Sequence, residues 1–395
     1  MQKIQIPKSA EDIISKLKEF GYDGYIVGGC VRDSLLGRAP NDFDITTDAT
    51  PDEIKQIFKK TVDTGIAHGT VTVIEGNETY EVTTYRIDGE YLDNRHPVSV
   101  SFTKKLLCDL SRRDFTVNAL AYNSERGVVD EVGGMADLSK KLIRTVGDPH
   151  LRFSEDALRV LRGIRFSSVL DFDIEKNTAQ AIRACCSKLE NVSKERIYTE
   201  WIKLLSGVRA YSVLSEFREV IEVFLPELRG IALPPEEAFM SLPCEYRQIS
   251  LFVPLGKACF ASAMKRMKTD AKTRIFGSAV LDSVPLLLLA DEGAIKEFLI
   301  NREDAVSLAA AQISEALGMA KLGTHAVIKA LIDEDAPRRT DQLAIGGDDV
   351  TVLGYSGRAV GEILQKLLRC VALGKIENTK QALVAYIKQE TDNGI

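Results

Sequence analysis

The chain has 395 residues, 45% of them hydrophobic and 27% charged, with a formal net charge of −6. That length exceeds what one core organises and predicts roughly two to four folded, soluble domains. The acidic balance argues against a protein that coats nucleic acid nonspecifically, since phosphate contacts need Lys and Arg, but leaves room for an enzyme with a local basic surface.

The first seven residues lack the apolar centre of a signal peptide. A helix is expected from Ser9 through Ile13, Ile14 and Leu17 to Gly21, then a short strand at Tyr25-Ile26-Val27 and another at Asp42-Phe43-Asp44-Ile45-Thr46. Thr50-Pro51-Asp52-Glu53 carries the signature of a capped helix start, with a helix expected to about Lys60. Thr70 to Ile74 and Thr79 to Tyr85 flank a turn and read as a β-hairpin. After Gly147-Asp148-Pro149 the apolar spacing becomes helical over 155–166, 178–189 and 194–205. The remainder reads as helix, broken near Pro226, Pro234-Pro235, Pro254 and Gly346-Gly347. Its longest apolar run, near Pro285 to Ala290, falls far short of the ~20 residues a membrane helix needs, so a cytoplasmic location is expected. Seven cysteines with no C-x-x-C pair predict reduced thiols rather than zinc or a disulfide framework.

Three constellations carry chemistry. In the first, a strand enters Gly28-Gly29 and a helix leaves with Cys30-Val31-Arg32-Asp33. Glycines let a ligand approach the backbone, N–H groups at a helix start attract phosphate, and Arg32 could hold a triphosphate oxygen. Asp42 and Asp44 follow, two apart on a strand, so both carboxylates share one face while Phe43 and Ile45 are buried on the other. Close carboxylates repel unless a cation lies between them, and magnesium takes oxygen ligands while sharing substrate phosphates. Two such ions about 3.5–4 Å apart would activate an attacking hydroxyl and stabilise a leaving pyrophosphate. Glu81, on the hairpin's second strand, is either a third carboxylate or a surface residue.

The second constellation is Arg112-Arg113-Asp114-Phe115-Thr116-Val117-Asn118-Ala119, where two arginines precede an expected apolar helix. They suit phosphate or ribose contacts, or else Arg113 pairs with Asp114. The third is the run from Glu155 to Phe166. Asp156, Arg159, Arg162 and Arg165 recur every three residues on one side, with Leu158, Leu161 and Ile164 opposite. A solvated face is the ordinary reading. A sharper one is a base reader: a carboxylate accepts and a guanidinium donates, so Asp156 beside Arg159 matches the pairing edges of cytosine and adenine and refuses uracil and guanine. No nucleic-acid template would be needed.

Together these stretches, within roughly residues 20–205, resemble the class II tRNA nucleotidyltransferases: the CCA-adding enzymes of the polymerase-β superfamily and their bacterial poly(A) polymerase relatives. The resemblance implies an α+β fold, with a polymerase-β-like nucleotidyltransferase head and a small mixed sheet, followed by an elongated all-α neck, body and tail. The expected division is a head over 1–145, a neck with the nucleotide-selecting helix over 146–205, a body over 206–275 and a tRNA-binding tail over 276–395. It implies that Asp42 and Asp44 are the catalytic magnesium ligands. Gly28, Gly29, Arg32 and Arg113 would contact the incoming nucleotide, and Asp156 and Arg159 would read the base with Arg162 and Arg165 nearby. Glu155, Asn118 and Glu81 are expected in support. The implied reaction adds C, C and A to the tRNA 3′ end from CTP and ATP, releasing pyrophosphate, with the acceptor arm gripped by the helical body and no protein partner or membrane. Members that add only C-C look as though they lack a flexible loop that this chain has, with Asp88, Gly89, Tyr91, Asp93 and Arg95. CC-only or A-only addition and poly(A) synthesis remain the alternatives. No His-Asp dipeptide occurs, so the phosphohydrolase module of some relatives is not expected.

Overall fold

The computed structural model describes residues 4–89, 100–288, 291–334 and 336–392. The chain divides into two compact units, residues 1–226 and 227–395. In the first unit, helix α1 (Lys8–Glu19) turns its apolar stripe, Ile13 and Leu17, inward and packs on a sheet. Strand β1 (Gly24–Val27) is buried on both faces and lies near the sheet centre. Helix α2 (Gly29–Leu35) follows, then β2 (Ile45–Thr47) and helix α3 (Pro51–Ile57).

Thr50 and Glu53 make the reciprocal cap expected of their spacing: the Glu53 carboxylate accepts from the Thr50 backbone N–H at 2.7 Å, and the Thr50 hydroxyl accepts from the Glu53 N–H at 3.5 Å. The helix ends at Ile57 rather than near Lys60. Phe58 turns extended and leads into β3 (Thr61–Gly65), an edge strand absent from the sequence reading because most of its side chains face solvent. The expected hairpin is β4 (Thr70–Glu75) and β5 (Glu78–Thr84), joined through Gly76 at φ 63°.

A small hairpin of β6 (Arg86–Asp88) and β7 (Val100–Phe102) stands apart from the sheet, and α4 (Leu106–Ser111) follows it. The apolar helix expected after Arg113 is instead one 3-10 turn, Thr116–Asn118, running into β8 (Leu120–Asn123). Strand β8 is buried on both faces, so its continuous apolar texture mimics a helix segment. Strand β9 (Gly127–Asp130) completes the sheet in the order β3-β4-β5-β2-β1-β8-β9, with β2 and β5 as its parallel pair.

Helix α5 (Gly134–Ser139) leads to α6 (Pro149–Glu155) and α7 (Leu158–Leu170), then α8 (Lys176–Cys185) and α9 (Lys194–Leu205). The single helix expected over 155–166 is thus broken: Asp156 is extended at φ −135°, ψ 105°. No Gly or Pro marks that break. Helices α7 and α9 pack together, and α10 (Ala210–Glu216) and α11 (Arg218–Phe224) close the first unit. The second unit is helical among its described residues. Its carboxy-terminal helices, Arg358–Ala372 and Lys380–Asp392, bury Leu367, Leu368, Leu383 and Ile387 together with Leu343, Ile345 and Val350. All seven cysteines are free thiols.

A Cβ on Gly207 would stand 2.1 Å from the Ser168 hydroxyl and 2.4 Å from the Ser168 carbonyl. Gly207→Ala is therefore expected to force α7 from α9 and to destabilise the first unit by about 1–3 kcal/mol, measured by urea denaturation. A melt unchanged from the parent would contradict that packing.

Candidate active site

The site begins where β1 ends. Gly28 takes φ 88°, a region that favours glycine, and its N–H donates to the Leu120 carbonyl at 3.0 Å. A Cβ there would lie 3.1 Å from Nη1 of Arg113, so that guanidinium lies directly over the glycine turn. Arg32 is placed differently from the expected triphosphate ligand. It is an interior residue, 7% exposed, bidentate on Asp33 at 2.9 and 2.8 Å, bonded to the Asn118 amide oxygen and set over the Phe166 ring. One of its terminal nitrogens comes within 3.6 Å of a Cβ built on Gly29, so it props the turn from beneath.

Asp42 and Asp44 precede β2 on an extended lead-in rather than lying within the strand, and the Asp44 carbonyl accepts from the Val27 N–H at 3.0 Å. Phe43 is half-buried and Ile45 fully buried, while both acids keep solvent-exposed surface, as alternation predicts. The parallel register pairs Ile45 with Val82, which sets Asp44 alongside Glu81 on the neighbouring strand. Crowding by surrounding protein pushes the Asp44 carboxyl up to about 6, the charges of Asp42 and Glu81 add to the rise, and Arg113 opposes it. That pattern joins all four residues in one electrostatic neighbourhood. Asp42, Asp44 and Glu81 offer oxygen donors of the kind a divalent metal takes.

The arginines directly follow helix α4. Arg112 grips the buried Asp109 at 2.9 and 2.7 Å, and Arg113 reaches the other Asp109 oxygen at 3.3 Å, with its Nε buried and unbonded. Arg113 does not pair with Asp114. Asp88, in the stem of the expected flexible loop, lies 3.9 Å from Arg112, and Gly89 follows it. Tyr91, Asp93 and Arg95 lie outside the described residues.

At the other end of the site, α6 stops and α7 begins around Asp156. One Asp156 oxygen accepts from the Leu158 N–H at 3.0 Å and the other from Arg196 of α9 at 2.8 Å. Arg159 donates to Glu155 at 2.6 Å and to the Arg152 carbonyl at 3.2 Å, and its second terminal nitrogen donates to the Arg112 carbonyl at 3.1 Å. The Arg159 N–H donates to the Asp156 carbonyl at 3.0 Å, but the side chains of the two expected base readers engage different partners, not each other. Consecutive residues therefore span the site: Arg159 holds the backbone of Arg112, while the side chain of Arg113 lies over Gly28 in the field of Asp44.

Below this line lies a buried polar chain. Asp114 accepts from Arg162 at 2.8 and 2.5 Å, from the Asn118 amide at 3.1 Å and from the Phe115 N–H at 2.8 Å. Arg165 donates to Glu200 at 2.8 Å and lies 3.5 Å from the Phe166 ring centre. Burial works against the charge on Arg162, yet Asp114 and Glu200 outweigh it and raise its pKa. For Arg165 burial prevails and the pKa falls. Arg162 and Arg165 are thus half-buried residues with carboxylate partners, not a freely solvated stripe. Sequence reasoning missed Asp109, Arg196 and Glu200. Glu200 leaves a readable trace, a lone acid on the stripe Ile197, Trp201 and Leu204; Asp109 interrupts an apolar run the same way.

A glycine turn under an arginine, an acidic strand edge and a mixed sheet of this order define the head of a polymerase-β-like nucleotidyltransferase. A family model described as "Poly A polymerase head domain" matches residues 24–144, and one described as "Probable RNA and SrmB- binding site of polymerase A" matches residues 171–231. The CCA-adding enzyme of Streptococcus suis is 36% identical over 409 residues, covering 98% of this chain and 97% of that protein. The CCA-adding enzyme of Enterococcus faecalis is 36% identical over 397 residues, with coverages of 98% and 97%. Among solved structures, the Bacillus stearothermophilus CCA-adding enzyme in complex with CTP matches with a TM-score of 0.81 at 31% identity, covering 98% of this chain and 99% of that one. The Thermotoga maritima CCA-adding enzyme shares the fold, with a TM-score of 0.69 at 21% identity and coverages of 98% and 97%. This chain belongs to the family of CCA-adding enzymes.

Asp114 is held at about 2: burial opposes its charge, but Arg162, Asn118 and Arg159 more than compensate. A depressed carboxylate stabilises the fold above its ordinary value of 3.8 and loses that contribution as the pH falls toward 2. Asp114→Asn should cost about 3 kcal/mol at neutral pH by stranding Arg162. It should also flatten the acid limb of the stability profile between those two pH values, read by denaturant titration at several pH values; a variant with the parent's acid limb would contradict the pairing.

Proposed function

We infer that this chain adds C, C and A, without a nucleic-acid template, to the 3′ end of tRNA, drawing on CTP and ATP and releasing pyrophosphate. The observation that carries the reading is the span described above, in which residues 112 and 113 join Arg159 to the glycine turn and Asp44. In the reaction the RNA 3′ oxygen forms a bond to the α-phosphorus, the α–β phosphoanhydride bond breaks, and the hydroxyl proton is lost. Asp42 and Asp44 would hold the divalent ions, which we assign as Mg2+, and Glu81 stands beside them. Bound there, the metal would lower the charge of the triphosphate and favour ionisation of the attacking hydroxyl. Arg113 and the Gly28 backbone position the triphosphate from above, with Gly29 and Arg32 shaping the turn beneath it.

Base choice falls to Asp156 and Arg159. An exocyclic amine would replace Arg196 on the Asp156 carboxylate, and a ring nitrogen would replace the Arg152 carbonyl on Arg159. Glu155 and the Arg112 carbonyl fix the guanidinium plane, so the wrong base leaves a buried donor or acceptor unmatched. The head, neck, body and tail over 1–145, 146–205, 206–275 and 276–395 belong to the same reading, with the later helices gripping the acceptor arm. Among the described residues no helix is long and apolar enough to cross a membrane, and we assign the enzyme to the cytoplasm.

The decisive assay offers tRNA lacking its last three nucleotides to CTP alone, ATP alone and both. C-C should appear with CTP, and C-C-A only with both; a long adenylate ladder would overturn the reading in favour of poly(A) synthesis. Asp44→Ala should lower incorporation by about a thousandfold or more while tRNA binding persists. Arg159→Ala should narrow the preference for CTP over UTP by about a hundredfold, seen in single-nucleotide extension with each triphosphate. Unchanged selectivity would remove Arg159 from the reader.

A further inference from the structure

We propose that Asp109 is a positioning residue for nucleotide transfer: its buried carboxylate holds Arg113 over the glycine turn, keeping that cation on the triphosphate and off the acidic pair Asp42 and Asp44. The proposal rests on the reading of Arg113 as a triphosphate contact. Asp109 sits on α4 with its side chain fully buried. Its oxygens are divided. One takes both bonds from Arg112, at 2.9 and 2.7 Å. The other takes Arg113 at 3.3 Å and the Thr46 hydroxyl at 3.3 Å. Thr46 lies in β2, two residues beyond Asp44, and its hydroxyl also reaches the Thr83 carbonyl at 3.2 Å. The carboxylate is therefore anchored to the strand that carries the acidic pair.

Charge counting gives the reason such an anchor is needed. Two guanidinium groups share one fully buried acid, and Arg112 has Asp88 as a second anion at 3.9 Å. Among the described residues the ion pair of Arg113 is with Asp109, a single contact through one terminal nitrogen, while the other lies over Gly28. Asp44 already feels Arg113. If Asp109 loses its charge, Arg113 keeps the attraction of Asp44. A guanidinium drawn there would compete with divalent metal and leave the β- and γ-phosphates without a partner. A bond serving stability alone would need no arginine aimed over a glycine.

The test is a double-mutant cycle on the full chain, with KM and kcat for CTP, for ATP and for tRNA, and the Mg2+ concentration giving half-maximal rate. Asp109→Asn should raise KM for CTP and ATP alike by about tenfold or more, change KM for tRNA by less than about twofold, and raise the Mg2+ requirement. In the Arg113→Ala background the same substitution should add less than about twofold, and the Mg2+ requirement should return toward that of the parent. If Arg113→Ala leaves triphosphate KM unchanged, the underlying reading fails. If Arg113→Ala raises KM but Asp109→Asn does not, or the two effects multiply, this proposal fails alone. Should Asp109→Asn not fold, Asp109→Glu keeps the buried charge and displaces it by one methylene. It should raise triphosphate KM by about threefold only while Arg113 is present, and an equal rise in both backgrounds overturns the proposal.

Discussion

The joint between sheet and helices is one buried carboxylate. Asp114 takes two bonds from Arg162 of α7, one from Asn118 and one from its own neighbour's N–H, and its carbonyl accepts from Val146 at 3.2 Å. Through the Asn118 amide oxygen the same chain reaches Arg32 and so the underside of the glycine turn. Each member would be expensive to bury alone, and together they leave few orientations open. The glycine turn and the Asp156–Arg159 end are held to one geometry by polar bonds more directional than apolar packing.

This arrangement sorts the cations of the site. Arg32, Arg162 and Arg165 crowd the edges and face of Phe166, each with a carboxylate partner, and are part of the scaffold. Arg113 and Arg159 have carboxylate partners too, Asp109 and Glu155, but a terminal nitrogen of each is turned elsewhere, to the Gly28 turn and to the Arg112 carbonyl. A family pattern written as letters does not distinguish the two kinds. All five have a carboxylate partner, so the distinction lies in what the remaining guanidinium nitrogens face.

Much of the site was legible from local spacing. Gly28, Asp42 and Asp44 signal themselves because turn, strand and acids lie within one short stretch, and the Thr50 cap is written in four residues. What was illegible depends on partners far along the chain. Arg196 meets Asp156 across 40 positions and Arg162 meets Asp114 across 48, and no periodicity in one sequence encodes such pairings. The break at Asp156 carries no helix-breaking residue; the competing bond from its carboxylate to the Leu158 N–H starts a new helix there. Strand β3 escaped because its exposed side chains lack alternation, and β8 because burial on both faces erases it.

The parallel pairing of β2 with β5 bears on assembly. A parallel neighbour cannot be delivered by a tight turn. Here α3, β3 and the β4–β5 hairpin must all be in place before Glu81 arrives beside Asp44. Loop closure is paid for before the contact exists, so this alignment belongs to the late, non-local stage of folding. A ribosome-bound chain that has reached only Thr47 has Asp42 and Asp44 in hand but no surface on which to present them. The two acids meet Glu81 only once the β4–β5 hairpin has docked on β2.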